Sequence, residues 1–233
     1  MKKTKSLLLV LSLLFTVSLF SATDRLISRF ERARPKFLDA QKYFNKGKLK
    51  KAEKAIRVCL KRMPEYSDAH ELLAKIHIKN NKLNEALENS NLAIKNYKYR
   101  YIIYRYFSDR TNNQKSATFA EGRVDPNTNL TPSSDEIKLR EEKKLRIKNI
   151  EARYYFQNAN ILFKLKKFRD AHTKYLKAIE INPKYGDAYN NLANLYYLSK
   201  QYQLALDSLN KARDSGAKIN PKFEAFLKKK LNK

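Results

Sequence analysis

Apolar residues in this chain recur every three or four positions, the spacing of one face of an α-helix. Short polar turns, such as Asn45-Lys46-Gly47-Lys48 and Lys164–Lys167, divide the apolar stripes into pairs. Met63-Pro64 and Asn182-Pro183 end the second stripe of a pair, because proline lacks a backbone N–H and clashes with the preceding turn. Ser67-Asp68 and Asp187-Ala188 then offer capping side chains to the next helix. The pattern predicts an all-α chain of helices joined by tight turns.

The pairs repeat. Small residues stand at Ala40, Ala74, Ala159 and Ala193, with spacings of 34, 85 and 34. The same spacings relate Ala52, Ala86, Ala171 and Ala205, and again Cys59, Ala93, Ala178 and Ala212. Leu49, Leu83, Phe168 and Tyr202 keep that phase, as do Pro64 and Pro183 within their units. The gap of 85 is two and a half periods, so a segment outside the repeat separates two pairs of units. Residues of the Ala40 and Ala52 columns let the two helices of a unit approach closely. The Cys59 column faces the next unit, so no unit can bury its apolar face alone. An α-solenoid of helix-turn-helix units follows, with a concave face built from the first helix of each.

These columns resemble the tetratricopeptide repeat. The match covers Ala33–Tyr66, Ser67–Arg100, Ala152–Tyr185 and Gly186–Ile219. The fourth unit fits best, with Tyr189, Leu192, Ala193, Tyr196, Tyr202, Ala205 and Ala212 at pattern positions. The third carries Ala159, Phe168, Ala171, Tyr175, Ala178 and Pro183, while the second has Lys98 in place of the terminal proline and His70 and His77 at aromatic positions. The resemblance implies a fold and says little about a ligand.

The organisation is therefore 33–100 for units one and two, 101–151 for an insertion, 152–219 for units three and four, and 220–233 for a basic capping helix. In that cap Phe223, Phe226, Leu227 and Leu231 form an inward stripe behind Pro221, and Arg25–Arg32 offers a second cap at the other end. Within the insertion, the aromatic stretch Tyr97–Phe107 either prolongs the second helix of unit two or forms a degenerate extra one. Ser108–Pro132 reads as a polar exposed loop of 25 residues. Ser133-Ser134-Asp135-Glu136 reads as a capping box that starts a charged helix, Asp135 to about Ile150, running into unit three. Two roles stay open for this segment: a lid or partner-docking arm, and a degenerate repeat with a linker.

Residues 1–22 differ in composition from the rest. Lys2, Lys3 and Lys5 precede the uncharged run Leu7–Phe20 and small Ser21-Ala22, the three-part layout of an export signal. Cleavage after Ala22 and retention as an N-terminal anchor are the two outcomes, and both place residues 23–233 outside the cytoplasm, in a bacterial periplasm or cell envelope.

Charge gains meaning against that background. Fifty Lys+Arg face 23 Asp+Glu, a net of +27, with a mean hydropathy of −0.69 that excludes a polytopic membrane protein. In the cytoplasm this balance would suggest nucleic acid; an exported chain meets anionic lipid head groups, cell-wall polymers or acidic proteins instead. Compositional bias of an AT-rich genome is the bland alternative. Unit one holds eleven basic and three acidic residues (+8), unit three eight and two (+6). Units two and four are near neutral, at six against four and four against three. Lys46, Lys48, Lys50, Lys51, Lys54, Arg57, Lys61 and Arg62, with Lys228, Lys229 and Lys230, are the candidate anion-facing residues.

Catalytic chemistry is not expected. Of His70, His77 and His172, the first two are seven apart on one helix face, at positions the resemblance implies pack between helices. The lone Cys59 fills a small buried column, and no nucleophile–base pair or metal set can be assembled. No cofactor is implied. Binding is the expected activity, with a protein segment as partner. By repeat phase the groove is lined by Arg34, Phe37, Gln41, Phe44 and Asn45 in unit one. Units three and four contribute Arg153, Phe156, Asn160, Phe163, Lys164, Asn190, Asn194 and Tyr197. Rings interspersed with amides and cations suit an extended peptide. The resemblance adds Asn191: Asn160 and Asn191 stand where some tetratricopeptide proteins hold a C-terminal carboxylate, whereas Phe156, Pro221 and Ala225 replace the cations of that clamp.

Overall fold

The computed structural model describes residues 2–119 and 134–231. In those residues it has helices and no strands: α1 (Lys2–Asn45), α2 (Leu49–Arg62), α3 (Ser67–Lys79), α4 (Leu83–Phe119), α5 (Ser134–Lys164), α6 (Phe168–Ile181), α7 (Gly186–Leu198), α8 (Tyr202–Asp214) and α9 (Pro221–Leu231). Among the described residues no helix is long and apolar enough to cross a membrane.

The helix pairs fall where the period puts them. The chain divides into two compact bodies, residues 1–76 with 95–128, and residues 77–94 with 129–233. In the first, α1 packs on α2 through Ala40, Ala52, Ile56 and Cys59, all fully buried, and Ile103 of α4 joins the same core. In the second, α5 to α9 pack on one another in chain order. Ala159, Ala171, Tyr175, Ala178, Ala188 and Leu192 form one cluster there, and Ala193, Ala205, Leu209 and Leu227 the next. Gly186 opens α7 at a tight crossing: a Cβ there would stand 2.6 Å from the Cβ of Ala217. The bulk-free columns are thus the places where backbones meet.

One turn geometry recurs. Gly47, Asn81, Lys166 and Lys200 occupy the same repeat position, and all four have a left-handed backbone, with φ of 71°, 58°, 60° and 57°. The next N–H reaches back to close the first helix: Lys48 to Tyr43 O, Lys82 to His77 O, Lys167 to Leu162 O and Gln201 to Tyr196 O, at 2.8–2.9 Å. This is the Schellman ending, which glycine adopts without strain and lysine does not. The second helices end differently: Met63 and Asn182, each before a proline, take extended φ of −143° and −130°.

Several expectations need correction. The aromatic stretch prolongs α4, and the helix continues to Phe119, so 108–119 is not loop; 120–133 lies outside the described residues. The cap of α7 is Tyr185, with no side-chain cap bond; Asp187 lies inside the first turn, where its charge still favours the positive helix end. Asp68 lies in the first turn of α3, inside the helix, and pairs with Arg100. The capping box at Ser133–Glu136 falls on Ser133 and on side chains outside the described residues, although α5 does begin at Ser134. Arg25–Arg32 is no separate cap: α1 runs straight through it and through Pro35, with Leu26 and Ile27 in the core.

The C-terminal cap is partly as predicted. Leu227 is fully buried and Phe223 half-buried, but Phe226 and Leu231 are each 38% exposed. The short helix offers one face to α8, too narrow for four large residues. Its anchor is electrostatic as well: Glu224 receives Lys228 at 2.8 Å and Arg213 at 2.5 Å. These two bonds hold its carboxyl below the usual carboxylate range.

Lys166→Gly and Lys200→Gly each relieve left-handed strain, and each should raise stability by about 0.5–1 kcal/mol, read as a higher urea midpoint. Because the native pKa of Glu224 is depressed, its pairs stabilise α9 above the unfolded-state value and lose that contribution as pH falls through the native one. Acidification should therefore erase the NMR ring-current shifts of Tyr197 that come from Phe223 and Phe226. Glu224→Gln should remove that pH step.

Candidate peptide-binding face

A polar network lies between α5, α6 and α7 of the second body. Tyr175 of α6 is buried among apolar neighbours with its ring 1% exposed. Its hydroxyl donates to Asn160 Oδ1 at 2.6 Å and accepts from Asn191 Nδ2 at 3.2 Å, while Asn191 Nδ2 also reaches Asn160 Oδ1 at 2.7 Å. Burial pushes the phenol up to about 12, with the Asn191 bond opposing it, so the donor is retained across physiological pH.

What matters is what this network leaves over. Asn160 spends its Oδ1 and Asn191 its Nδ2, and among the described residues Asn160 Nδ2 and Asn191 Oδ1 make no further bond. One donor and one acceptor remain, on side chains already fixed. Both asparagines are half-buried, within reach of a ligand.

The neighbouring predicted residues have distinct settings. Phe156 is half-buried, with ring centroids 5.9 Å from Tyr175 and 5.1 Å from Tyr185, and Phe163 meets Phe168 at 5.4 Å. Arg153 lies 5.5 Å over the Tyr154 ring, and Lys164 is exposed at the end of α5. Asn194 is exposed and bonds the Asn190 carbonyl of its own helix at 3.2 Å. Asn190 reaches Lys218 O at 3.4 Å. Tyr197 is enclosed by α9, 5.5 Å from Phe223 and 5.6 Å from Phe226. In the first body Phe37 packs on Tyr66 at 5.0 Å, Phe44 borders the same core, and Arg34, Gln41 and Asn45 are exposed.

The remaining singled-out groups have structural partners. His70 is buried and its Nε2 lies 2.7 Å from Pro64 O, tying α3 to the turn after α2. His77 is buried, and His172 Nε2 sits 3.1 Å from the Tyr196 hydroxyl. Cys59 is fully buried and its thiol is pushed up to about 12 by desolvation, opposed by Arg62. Among the described residues no group of three or more His, Cys, Asp or Glu could hold a metal.

All eleven candidate anion-facing residues are exposed. Lys50, Lys54, Arg57 and Lys61 form one row along α2, opposite its buried Ala52, Ile56 and Cys59. Arg57 is paired with Glu53, Arg62 bonds Arg32 O at 2.7 Å, and Lys228 is held by Glu224. Among the described residues Lys46, Lys48, Lys50, Lys51, Lys54 and Lys61 make no ion pair.

Tyr175 was legible as a pattern residue and not as part of a site. The signal is its column: Ile56 and Leu209 fill the equivalent buried positions, so a hydroxyl there needs a partner. Tyr175→Phe should cost about 1 kcal/mol, seen in thermal unfolding, by withdrawing the hydroxyl's bonds to both asparagines.

A family model for the TPR repeat, the tetratricopeptide repeat, matches residues 159–200, which span the end of α5 to the turn before α8. No curated protein matches the chain. Among solved structures, BtubC from P. vanneervenii is 19% identical over 82% of this chain and 72% of that one, with a TM-score of 0.47. PilW, a type IV pilus biogenesis factor, is 14% identical over 86% of each chain, with a TM-score of 0.44. The pilF protein of Pseudomonas aeruginosa is 17% identical over 84% and 81%, with a TM-score of 0.39. The matched segment holds the Tyr175 network in a helix pair of the 34-residue period, and the same turn closes all four units. Residues 159–200 match the tetratricopeptide repeat, and the 34-residue period carries the same helix-turn-helix pattern through the other units.

Proposed function

We propose that this chain is a non-enzymatic protein-interaction scaffold of the bacterial cell envelope, and that the α5–α7 face holds an extended peptide segment. The observation that carries this reading is the unspent donor on Asn160 beside the unspent acceptor on Asn191. A peptide unit has one N–H and one C=O, the complement of that pair. Tyr175 fixes both amides in advance, so little side-chain entropy is lost when a peptide binds. Phe156 and Phe163 add apolar contact, and Arg153 and Lys164 favour an acidic segment. The envelope assignment is supported by the basic, apolar and small-residue layout of residues 1–22.

A second reading rests on the unpaired lysines of α2. A row of cations along one helix face suits an anionic cell-wall polymer, with affinity that falls steeply with salt.

The two readings separate in one experiment. Peptides selected from a random library on the immobilised protein should bind Asn160→Ala/Asn191→Ala at least about tenfold more weakly, with the circular dichroism spectrum unchanged. Lys50→Gln/Lys54→Gln/Lys61→Gln should leave peptide affinity intact and weaken retention on heparin. Undiminished peptide binding by the asparagine variant would sink the groove; a salt-insensitive heparin response would sink the α2 face.

A further inference from the structure

The first body contains a cleft that neither reading uses. It is an open cavity of about 520 Å³ beside the N-terminal part of α1. Arg25, Arg29 and Arg32 line it, at the i, i+4 and i+7 spacing that places three side chains on one helix face within about 10 Å. Leu26, Tyr99 and Ile102 supply apolar wall from α1 and α4. Glu65 is the acidic residue of the lining and is paired with Arg29 Nη2. Arg29 Nε is buried with no hydrogen-bond partner among the described residues, and Arg25 has no ion pair there. The cleft is thus rimmed by three guanidinium groups against one carboxylate, with apolar surface behind them.

We propose that this cleft binds the phosphate of an anionic phospholipid head group. Guanidinium groups match phosphate oxygens with paired N–H donors, and three in a row tolerate one internal carboxylate. The apolar wall distinguishes the cleft from the open cationic row of α2, since a lipid brings a glycerol and acyl root beside its phosphate. Position along α1 selects a lipid over a soluble phosphate. The apolar run Leu7–Phe20 precedes the cleft on the same helix. Arg25 stands five residues after Phe20, a rise of about 7.5 Å. That is close to the thickness of one head-group layer, roughly 5–7 Å on each side of the hydrocarbon core. If the apolar turns enter hydrocarbon with the helix upright, Arg25 arrives among the phosphates. Arg29 and Arg32 follow about 6 and about 10.5 Å further along the axis and reach the same layer where α1 tilts toward the surface. The proposal does not depend on peptide binding at α5–α7.

The test uses the full chain and vesicles of phosphatidylcholine with or without phosphatidylglycerol. The apolar run contributes equally to both, so the readout is the preference for anionic vesicles. Arg25→Gln/Arg29→Gln/Arg32→Gln should reduce that preference by roughly 30-fold or more, and Lys50→Gln/Lys54→Gln/Lys61→Gln by under about threefold. Equal losses in the two variants would overturn the site and leave only diffuse charge. A second measurement follows the Arg29 Nε–H signal by NMR in the unmutated protein. Short-chain phosphatidylglycerol below its micelle concentration should shift it. Inorganic phosphate at the same concentration producing the same shift would overturn the lipid in favour of a plain anion site. No shift with either would overturn the site.

Discussion

Everything in this fold depends on how closely two helical backbones can approach at columns of residues with almost no side chain. Ala40 and Ala52 in the first body, and Ala159 and Ala171 in the second, are each fully buried. At such a contact the gain comes from backbone and Cβ packing, and a larger residue would force the pair apart. Close approach in turn brings the flanking positions together. Tyr175 can reach across from α6 to Asn160 because Ala171 and Ala178, four before and three after it, let α6 lie close to its neighbours. The polar site is a consequence of the apolar spacing.

The same spacing explains why the repeat was legible without a structure. Period, helix pairs, proline stops and the cap at Pro221 are encoded by residue types with one physical use each: no bulk, no N–H, or an apolar stripe. Lys166 and Lys200 show where such reading fails. Nothing about lysine announces a left-handed turn, and only their phase with Gly47 would have exposed it. The run 108–119 fails in the opposite sense. Its Asn, Thr and Ser content suggests loop, yet α4 carries helix through it, because propagation adds one residue at a time to a helix already nucleated.

The site was half legible for a related reason. Asn160 and Asn191 stand 31 residues apart and were named by repeat position, but repeat position cannot say which atom of each amide is spent internally. That depends on Tyr175, a third residue in a third helix. The arginines of α1 were less visible still. In sequence Arg25–Arg32 reads as a basic, amphipathic end cap, and its cationic face acquires a cleft only when Tyr99 and Ile102 of α4 stand opposite.

A further pair shows how a repeat departs from its own rule without losing its fold. Asn158 and Ser90 occupy columns that hold Leu73 and Leu192, and Ile56 and Leu209, in other units. Both are buried, and the Asn158 amide donates to the Ser90 hydroxyl at 3.1 Å and to Asn91 Oδ1 at 2.9 Å. Two apolar columns have turned polar at the same point of contact. Without Ser90 the Asn158 amide would keep only its bond to Asn91, a loss of roughly 0.5–1.5 kcal/mol, whereas the pair satisfies most of itself. Its Oδ1 is still unpartnered among the described residues, so the exchange does not gain stability over a leucine–isoleucine contact. What it gains is selectivity. The observed register of the first part of α4 on α5 pairs these polar groups, and an apolar helix face from another unit would leave Asn158 unsatisfied. In a chain built from interchangeable helix pairs, a polar exception in the core tells one neighbour from another.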